Sequence, residues 1–205
     1  MAIYVTSDAH GHVRALDEAL SKISLASDDT LYVLGDMIDR GPDPLGVIKL
    51  VRSLPNAHVL KGNHEQIMLD AIIGQDPLDA ETWDINGGWT TREQLNDMEF
   101  EAYEELVRWM ATLPLYAVAE TDERPYLLVH AGIEMEAARA FLLEHGVDCS
   151  DGAGAVDADR ELLKQMLAVQ SSDDLLWIRH GYWDAPTGLL SAEGKGPVVV
   201  SGHTP

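Results

Sequence analysis

Gly35-Asp36-Met37-Ile38-Asp39-Arg40-Gly41-Pro42 is the stretch on which the reading of this chain turns. It follows Leu31-Tyr32-Val33-Leu34, a short apolar run with the character of a buried strand. Gly35 ends that strand and Gly41-Pro42 forces a turn just beyond it. Between them stand two carboxylates and a guanidinium at the carboxyl end of a strand, where open α/β sheets present ligands. A metal-bridging carboxylate, a second carboxylate to orient a base, and a fixed cation for an oxyanion would use these three side chains well. An acidic turn with Asp39 capping a helix accounts for the octapeptide alone, so the flanking chain has to separate the two readings.

Outward from the octapeptide the same arrangement recurs. Ile3 to Ser7 predicts a strand ending at Asp8-Ala9-His10-Gly11, and Val13, Leu16, Leu20 and Ile23 then follow at helical spacing. Downstream, Leu45, Ile48, Val51 and Leu54 predict a helix. Ala57 to Leu60 predicts a strand that ends in the loop Lys61-Gly62-Asn63-His64-Glu65. Residues 66–113 read as a mostly helical cap inserted beside the sheet, with Gly74 to Trp89 as loop. Two further strands, Leu115 to Ala119 and Tyr126 to Val129, lead to His130-Ala131-Gly132. Helices are predicted from Met135 to Leu143 and from Asp159 to Val169, and Asp173-Asp174 reads as a cap for a short segment bearing Trp177-Ile178-Arg179. Val198 to Val200 predicts a last strand, expected inside a sheet, before Ser201-Gly202-His203.

The composition bounds the function. At 205 residues and 46% apolar content the chain fits a single domain with a substantial core. With 35 acidic against 14 basic residues the net charge is −21, which argues against nucleic acid or an anionic membrane as partner. A phosphate-handling site must then be a local island of Arg, His and metal. The single Cys149 excludes an intramolecular disulfide and a multi-thiolate metal site and suits a reducing compartment. With no signal-like apolar segment near Met1 and no apolar run of spanning length, a cytoplasmic location is expected.

Asp8, His10, Asp36, Asn63, His130 and His203 each follow an apolar strand run. Asp8 and His10 lie two apart, so an extended chain would point both side chains the same way. Carboxylates, imidazoles and an amide without thiolate suit manganese, iron or zinc in a catalytic site. Six such ligands satisfy two ions roughly 3.5–4 Å apart, the spacing of two-metal hydrolytic centres.

In order and spacing, Ser7-Asp8-Ala9-His10-Gly11, the octapeptide, Gly62-Asn63-His64-Glu65, His130-Ala131-Gly132 and Gly202-His203-Thr204 resemble the motifs of the calcineurin-like metallophosphoesterases of the phosphoprotein phosphatase superfamily. Five motifs in order cover essentially the whole chain. Ser7 and Ala9 depart from commoner residues beside the first ligands. More narrowly, Asn63 to Met68, Asn86-Gly87-Gly88-Trp89 and Trp177-Ile178-Arg179 are similar to the phage lambda protein phosphatase and its bacterial relatives.

The resemblance implies an α/β fold, a metallophosphoesterase-type β-sandwich flanked by helices with a helical cap insertion. It implies Asp8, His10 and Asp36 on one divalent ion, with Asp36 bridging, and Asn63, His130 and His203 on a second, manganese being expected. Arg40 and Arg179 are implied to clamp phosphoryl oxygens, and His64, oriented by Asp39, to protonate the leaving oxygen. The implied activity is hydrolysis of phosphoserine and phosphothreonine proteins, and of phosphotyrosine as an extension, by direct attack of a metal-bound water. A symmetrical diadenosine tetraphosphate hydrolase and an inactive metal-binding interaction module are the alternatives. Family members continue past Gly-His-Thr, so the biological chain is expected to extend beyond Pro205, adding strands. His180 reads as a surface residue rather than a second phosphate contact; His12, His58 and His145 read as structural, and the Trp and Met residues of the cap as core.

Overall fold

The computed structural model describes residues 1–74, 76–179 and 187–204. His180 and Pro205, both named above, lie outside the described residues. The chain divides into two compact units, Met1–Pro114 and Leu115–Pro205.

The first unit is a parallel three-stranded sheet in the order β1 (Ile3–Thr6), β2 (Thr30–Val33), β3 (Ala57–Val59). Its pairing register sets Val5 against Tyr32 and Tyr32 against His58. Parallel pairing requires crossovers. Helix α1 (Val13–Ile23) supplies the first and α2 (Pro44–Arg52) the second. Helix α2 starts where the sequence marks a start: Asp43 accepts from the Gly46 N–H at 2.9 Å and Pro44 takes the first helical position. Because all three strands run the same way, their carboxyl ends share one edge, and the three polar loops leave from it.

Beyond β3 come α3 (Asn63–Ile73), α4 (Pro77–Ile85), α5 (Trp89–Asn96) and α6 (Phe100–Ala111). Two expectations are corrected here. Asn63, His64 and Glu65 belong to the first turn of α3 and not to a loop, because the Glu65 carboxylate reaches back to the Gly62 N–H at 2.8 Å and closes that turn. The segment from Gly74 to Trp89 holds helix α4 where loop was expected. Asp76 caps it through the Leu78 N–H at 2.9 Å and Pro77 is pre-set for its first turn.

The core of this unit gathers Leu31, Val33, Val47, Met68 and Met110 around Met37 and Ile38 of the octapeptide, both fully buried. Burying such a side chain stabilises by about 1.5–3 kcal/mol, so the octapeptide is anchored by its own two apolar residues. The three polar residues beside them are thereby held at the sheet edge.

The second unit carries β4 (Tyr116–Glu120), β5 (Pro125–Val129) and β6 (Val198–Val200) in that order, β4 antiparallel and β6 parallel to β5. Helices α7 (Met135–Glu144), α8 (Arg160–Ala168) and α9 (Ser172–Trp177) follow β5 in sequence. Leu127, Val129, Leu142, Leu163 and Met166 form its core. Ser171, not Asp173 or Asp174, caps α9, its hydroxyl accepting from the Asp174 N–H at 3.0 Å. Among the described residues β6 lies at a sheet edge with all three valines half-buried, against the expectation of an interior strand. No helix among the described residues is long and apolar enough to cross a membrane.

Candidate active site

In the first unit the loop after β1 is fixed to the loop after β2 by backbone bonds. Asp8 N–H donates to Gly35 O (3.1 Å), His10 N–H to Asp36 O (2.9 Å) and Gly11 N–H to Met37 O (2.9 Å). Asp8, His10 and Asp36 all take positive φ, at 56°, 42° and 53°. This corrects the expectation that Asp8 and His10 converge because they alternate along an extended strand. The strand ends at Thr6, and the left-handed conformation, which ordinary residues adopt only when their surroundings impose it, is held by the cross-loop bonds. Gly35 takes φ 92°, and a Cβ there would come within 2.2 Å of the Gly62 backbone nitrogen, so only glycine lets the loops after β2 and β3 close on each other.

Asp36 is buried. Its Oδ1 accepts from the His64 N–H at 3.0 Å, placing the first turn of α3 on the carboxylate. Its Oδ2 lies 3.5 Å from His10 Nε2. Burial drives the Asp36 carboxyl well above the usual carboxylate range, with the charges of Glu65 and then Asp8 adding, and the His64 N–H and Arg40 opposing. Burial likewise lowers the His10 imidazole, against the Ile38 carbonyl that favours its charged form.

His10 Nδ1–H donates to Ile38 O at 2.9 Å, and His64 Nδ1–H donates to Asp39 Oδ2 at 2.7 Å. The Arg40 guanidinium donates to the other nitrogen of each ring, to His10 Nε2 at 3.0 Å and His64 Nε2 at 2.8 Å. Since Arg only donates, both rings carry their proton on Nδ1 and present Nε2 as an acceptor. His10, Asp36 and His64 offer ligand atoms within 4.8 Å of one another. A buried carboxylate crowded by two others, beside an imidazole Nε2 with its tautomer already fixed, is a donor set that fits a divalent ion. Asn63, also assigned to metal, is buried at the first position of α3.

Sequence reasoning passed over three residues in this unit. Glu65, fully buried, accepts from Asp36 N–H, Met37 N–H and Gly62 N–H, each at 2.8 Å, and so ties the loop after β2 to the start of α3. Trp83, expected only as core, donates its indole N–H to Asp39 Oδ1 and Oδ2 at 3.1 and 3.2 Å. Thr91 donates its hydroxyl to Asp39 Oδ1 at 2.6 Å. A buried Asp39 needs donors, which was the available signal; which residues supply them was not written locally. Trp83 is core as well, at 3% exposure, whereas Trp89, also expected as core, is 57% exposed.

In the second unit His130 and His203 are both buried, with Nε2 of the first 3.1 Å from Nδ1 of the second. Gly202 N–H donates to His130 O at 2.8 Å, which fixes the loop after β6 to the end of β5. Trp177 stands edge-on to His203 with ring centres 6.1 Å apart. Arg179 is exposed, two residues past the end of α9. His12 occupies the N-cap position of α1 without a side-chain capping bond, His58 stacks on Tyr32, and His145 stacks on Phe141 and bonds its carbonyl.

Known proteins resemble this chain at the level of family, of curated relatives and of solved structures. The family model described as calcineurin-like phosphoesterase matches residues 1–205. A symmetrical bis(5'-nucleosyl)-tetraphosphatase of Proteus mirabilis is 34% identical over 138 residues, 65% of this chain and 45% of that protein. One of the same name from Aromatoleum aromaticum is 33% identical over 152 residues, 70% of this chain and 50% of that protein. The chain thus spans about half the length of these curated relatives. Among solved structures, a metallophosphoesterase from Sphaerobacter thermophilus is 27% identical, covering 63% of this chain and 46% of that one, with a TM-score of 0.44.

Proposed function

This chain belongs to the calcineurin-like phosphoesterase family, and from that premise we propose that it hydrolyses bis(5'-nucleosyl) tetraphosphates symmetrically. The observation that carries the chemistry is the meeting of His10, Asp36, Arg40 and the Asp39–His64 pair at the carboxyl edge of one parallel sheet. The names of the curated relatives supply the substrate, and they favour the small molecule over the phosphoprotein expected from the motifs. Water would add to one of the two inner phosphorus atoms, the central P–O–P bond would break, and two nucleoside diphosphates would leave.

Each residue has a role in this reading. Asp8, His10, Asp36 and Asn63 of the first unit and His130 and His203 of the second are the residues that would hold two divalent ions, for which manganese, iron or zinc suit the donor atoms. Bound there, the ions supply Lewis acidity. Arg40 and Arg179 offer paired N–H groups to phosphoryl oxygens. His64 presents Nε2 as an acceptor here, so as general acid it would first take a proton from solvent on that nitrogen and then hand it to the departing oxygen, while Asp39 holds Nδ1–H and stabilises the imidazolium.

Hydrolysis of phosphoserine and phosphothreonine proteins is the second reading. What favours it is the complete, buried Asp39–His64 pair. An alkoxide leaving group needs a proton far more than a phosphoanhydride does. The test is a rate comparison, with added manganese, on diadenosine tetraphosphate, a phosphoserine peptide and p-nitrophenyl phosphate. Faster turnover of the dinucleotide to a single product, ADP, supports the first reading, and faster turnover of the peptide the second. No turnover of any of the three would leave a metal-binding interaction module.

A further inference from the structure

Among the described residues, the hydrogen bonds to the Asp39 and Arg40 N–H groups and to the Asp39 carboxylate come from the inserted segment Trp83 to Thr91, apart from the one to His64. Asp39 N–H donates to Thr91 Oγ1 at 2.9 Å, and that hydroxyl donates back to Asp39 Oδ1 at 2.6 Å. The Trp83 indole N–H bridges both carboxylate oxygens at 3.1 and 3.2 Å. Arg40 N–H donates to Gly87 O at 3.1 Å. Asp39 and Arg40 take φ of 69° and 65°, a left-handed pair that non-glycine residues rarely adopt in succession. A turn of this kind persists only where its surroundings over-determine it.

Trp83 and Thr91 are themselves enclosed, at 3% and 0% exposure. The indole is pressed against the backbone of the same segment, for a Cβ on Gly88 would lie 2.1 Å from Trp83 Cδ1. Both donors are therefore fixed by packing before they reach Asp39. With Oδ1 taken by Thr91 and the indole between the oxygens, Oδ2 is left aimed at His64 Nδ1. One carboxylate rotamer then selects one imidazole tautomer, and Nε2 is delivered to the position facing Arg40.

We propose that Trp83 and Thr91 are positioning residues for the His64 general acid, acting through Asp39, so that the helical insertion is part of the proton-delivery apparatus. The proposal rests on the reading of His64 as acid given above. Removing either donor lets the Asp39 carboxylate rotate, and His64 loses its preferred orientation without any change in the residues assigned to metal.

The experiment measures kcat and KM on a series of aryl phosphates of rising leaving-group basicity, from p-nitrophenyl to p-methoxyphenyl. Wild type, His64→Asn, Thr91→Val, Thr91→Ser, Trp83→Phe and Gly88→Ala are compared at matched metal content and helicity. His64→Asn should steepen the dependence of kcat on leaving-group basicity. Thr91→Val and Trp83→Phe should steepen it in the same sense, losing on the order of tenfold on the most basic leaving group and little on p-nitrophenyl phosphate, with KM unchanged. Thr91→Ser, which keeps the hydroxyl, should restore the wild-type slope, and Gly88→Ala should behave as Trp83→Phe does. A purely structural role would lower all substrates alike, and that result in Thr91→Val overturns the proposal. If His64→Asn itself leaves the slope unchanged, the acid assignment has failed and the positioning role falls with it. A wild type that hydrolyses neither this series nor diadenosine tetraphosphate refutes the phosphoesterase reading; one that cleaves only the dinucleotide must lose turnover of it in Thr91→Val with KM unchanged, or the positioning role falls.

Discussion

His64 Nδ1 lies 2.7 Å from Asp39 Oδ2, and neither residue exposes any surface. A buried aspartate held in this way stabilises an imidazolium and fixes its orientation, which is what a proton donor to a leaving oxygen requires. His64→Asn should lower turnover of a phosphoserine peptide by about 10²–10⁴-fold, the range for losing a general acid. Metal content by elemental analysis should hold. The loss should shrink for p-nitrophenyl phosphate and for a phosphoanhydride, whose leaving groups need less protonation. Equal losses on all three would remove His64 from the acid role.

The crowding of Asp36 by Glu65 and Asp8 in a buried setting makes a dication the natural partner for these carboxylates. Chelation should abolish activity and manganese restore it. Asp36→Asn should be the most damaging of the ligand substitutions, since a neutral side chain screens two dications poorly. Titration calorimetry of the apoprotein with manganese gives a readout independent of turnover: Asp36→Asn should lose more binding than His10→Asn. Full activity in excess chelator, in protein free of metal by elemental analysis, would end the metallohydrolase reading.

The strands and most helices were legible because buried β-branched runs and helical spacing of apolar residues are local signals. The candidate site was legible for a related reason: parallel strands deliver the residues at their carboxyl ends to one edge, so Asp8, His10, Asp36 and the start of α3 had to converge in the first unit. Helix α4 was missed because Trp83 is its one buried residue and no apolar stripe marks it, although Asp76-Pro77 announced its start. The left-handed backbone of Asp8, His10, Asp39 and Arg40 was not legible at all. Positive φ in such residues comes from hydrogen bonds to distant loops, and those partners are supplied by tertiary structure.

Asp29 gives a pH-dependent prediction away from the site. Its carboxylate accepts from the Ala2 N–H at 2.5 Å and the Ala26 N–H at 3.0 Å, tying the approach to β1 to the turn before β2. The hydrogen bond from Ala2, then that from Ala26, hold its carboxyl below the ordinary value of 3.8. A depressed folded-state pKa contributes stability that is complete above the ordinary carboxylate range and is lost as pH falls through the folded value. Asp29→Asn should therefore be less stable than wild type near pH 6, and the two should converge towards pH 2. Denaturant midpoints measured across that range are the check; a gap that widens on acidification would reverse the sign.

Glu65 is where stability and site geometry meet. Its carboxylate accepts three backbone N–H groups, from Asp36, Met37 and Gly62, at 2.8 Å each, in a setting with no solvent exposure. Burial pushes its carboxyl up, while these three bonds favour the charged form and hold it down. Glu65→Gln keeps the shape but turns one acceptor into a donor facing N–H groups, so at least one buried backbone group loses its partner. A hydrogen bond to a charged group contributes about 1.5–3 kcal/mol, and a stranded buried donor costs about 1–3 kcal/mol. The substitution should therefore lower unfolding free energy by about 2–4 kcal/mol, read from urea denaturation. Because the same bonds hold Asp36 at positive φ, metal affinity should fall together with stability. Gln66→Ala, one position along and outside this network, is the control: among the described residues its side-chain amide bonds Lys61 and Asp70, and the substitution should change neither property appreciably. Wild-type stability and metal affinity in Glu65→Gln would show that the tie between the two loops carries no weight.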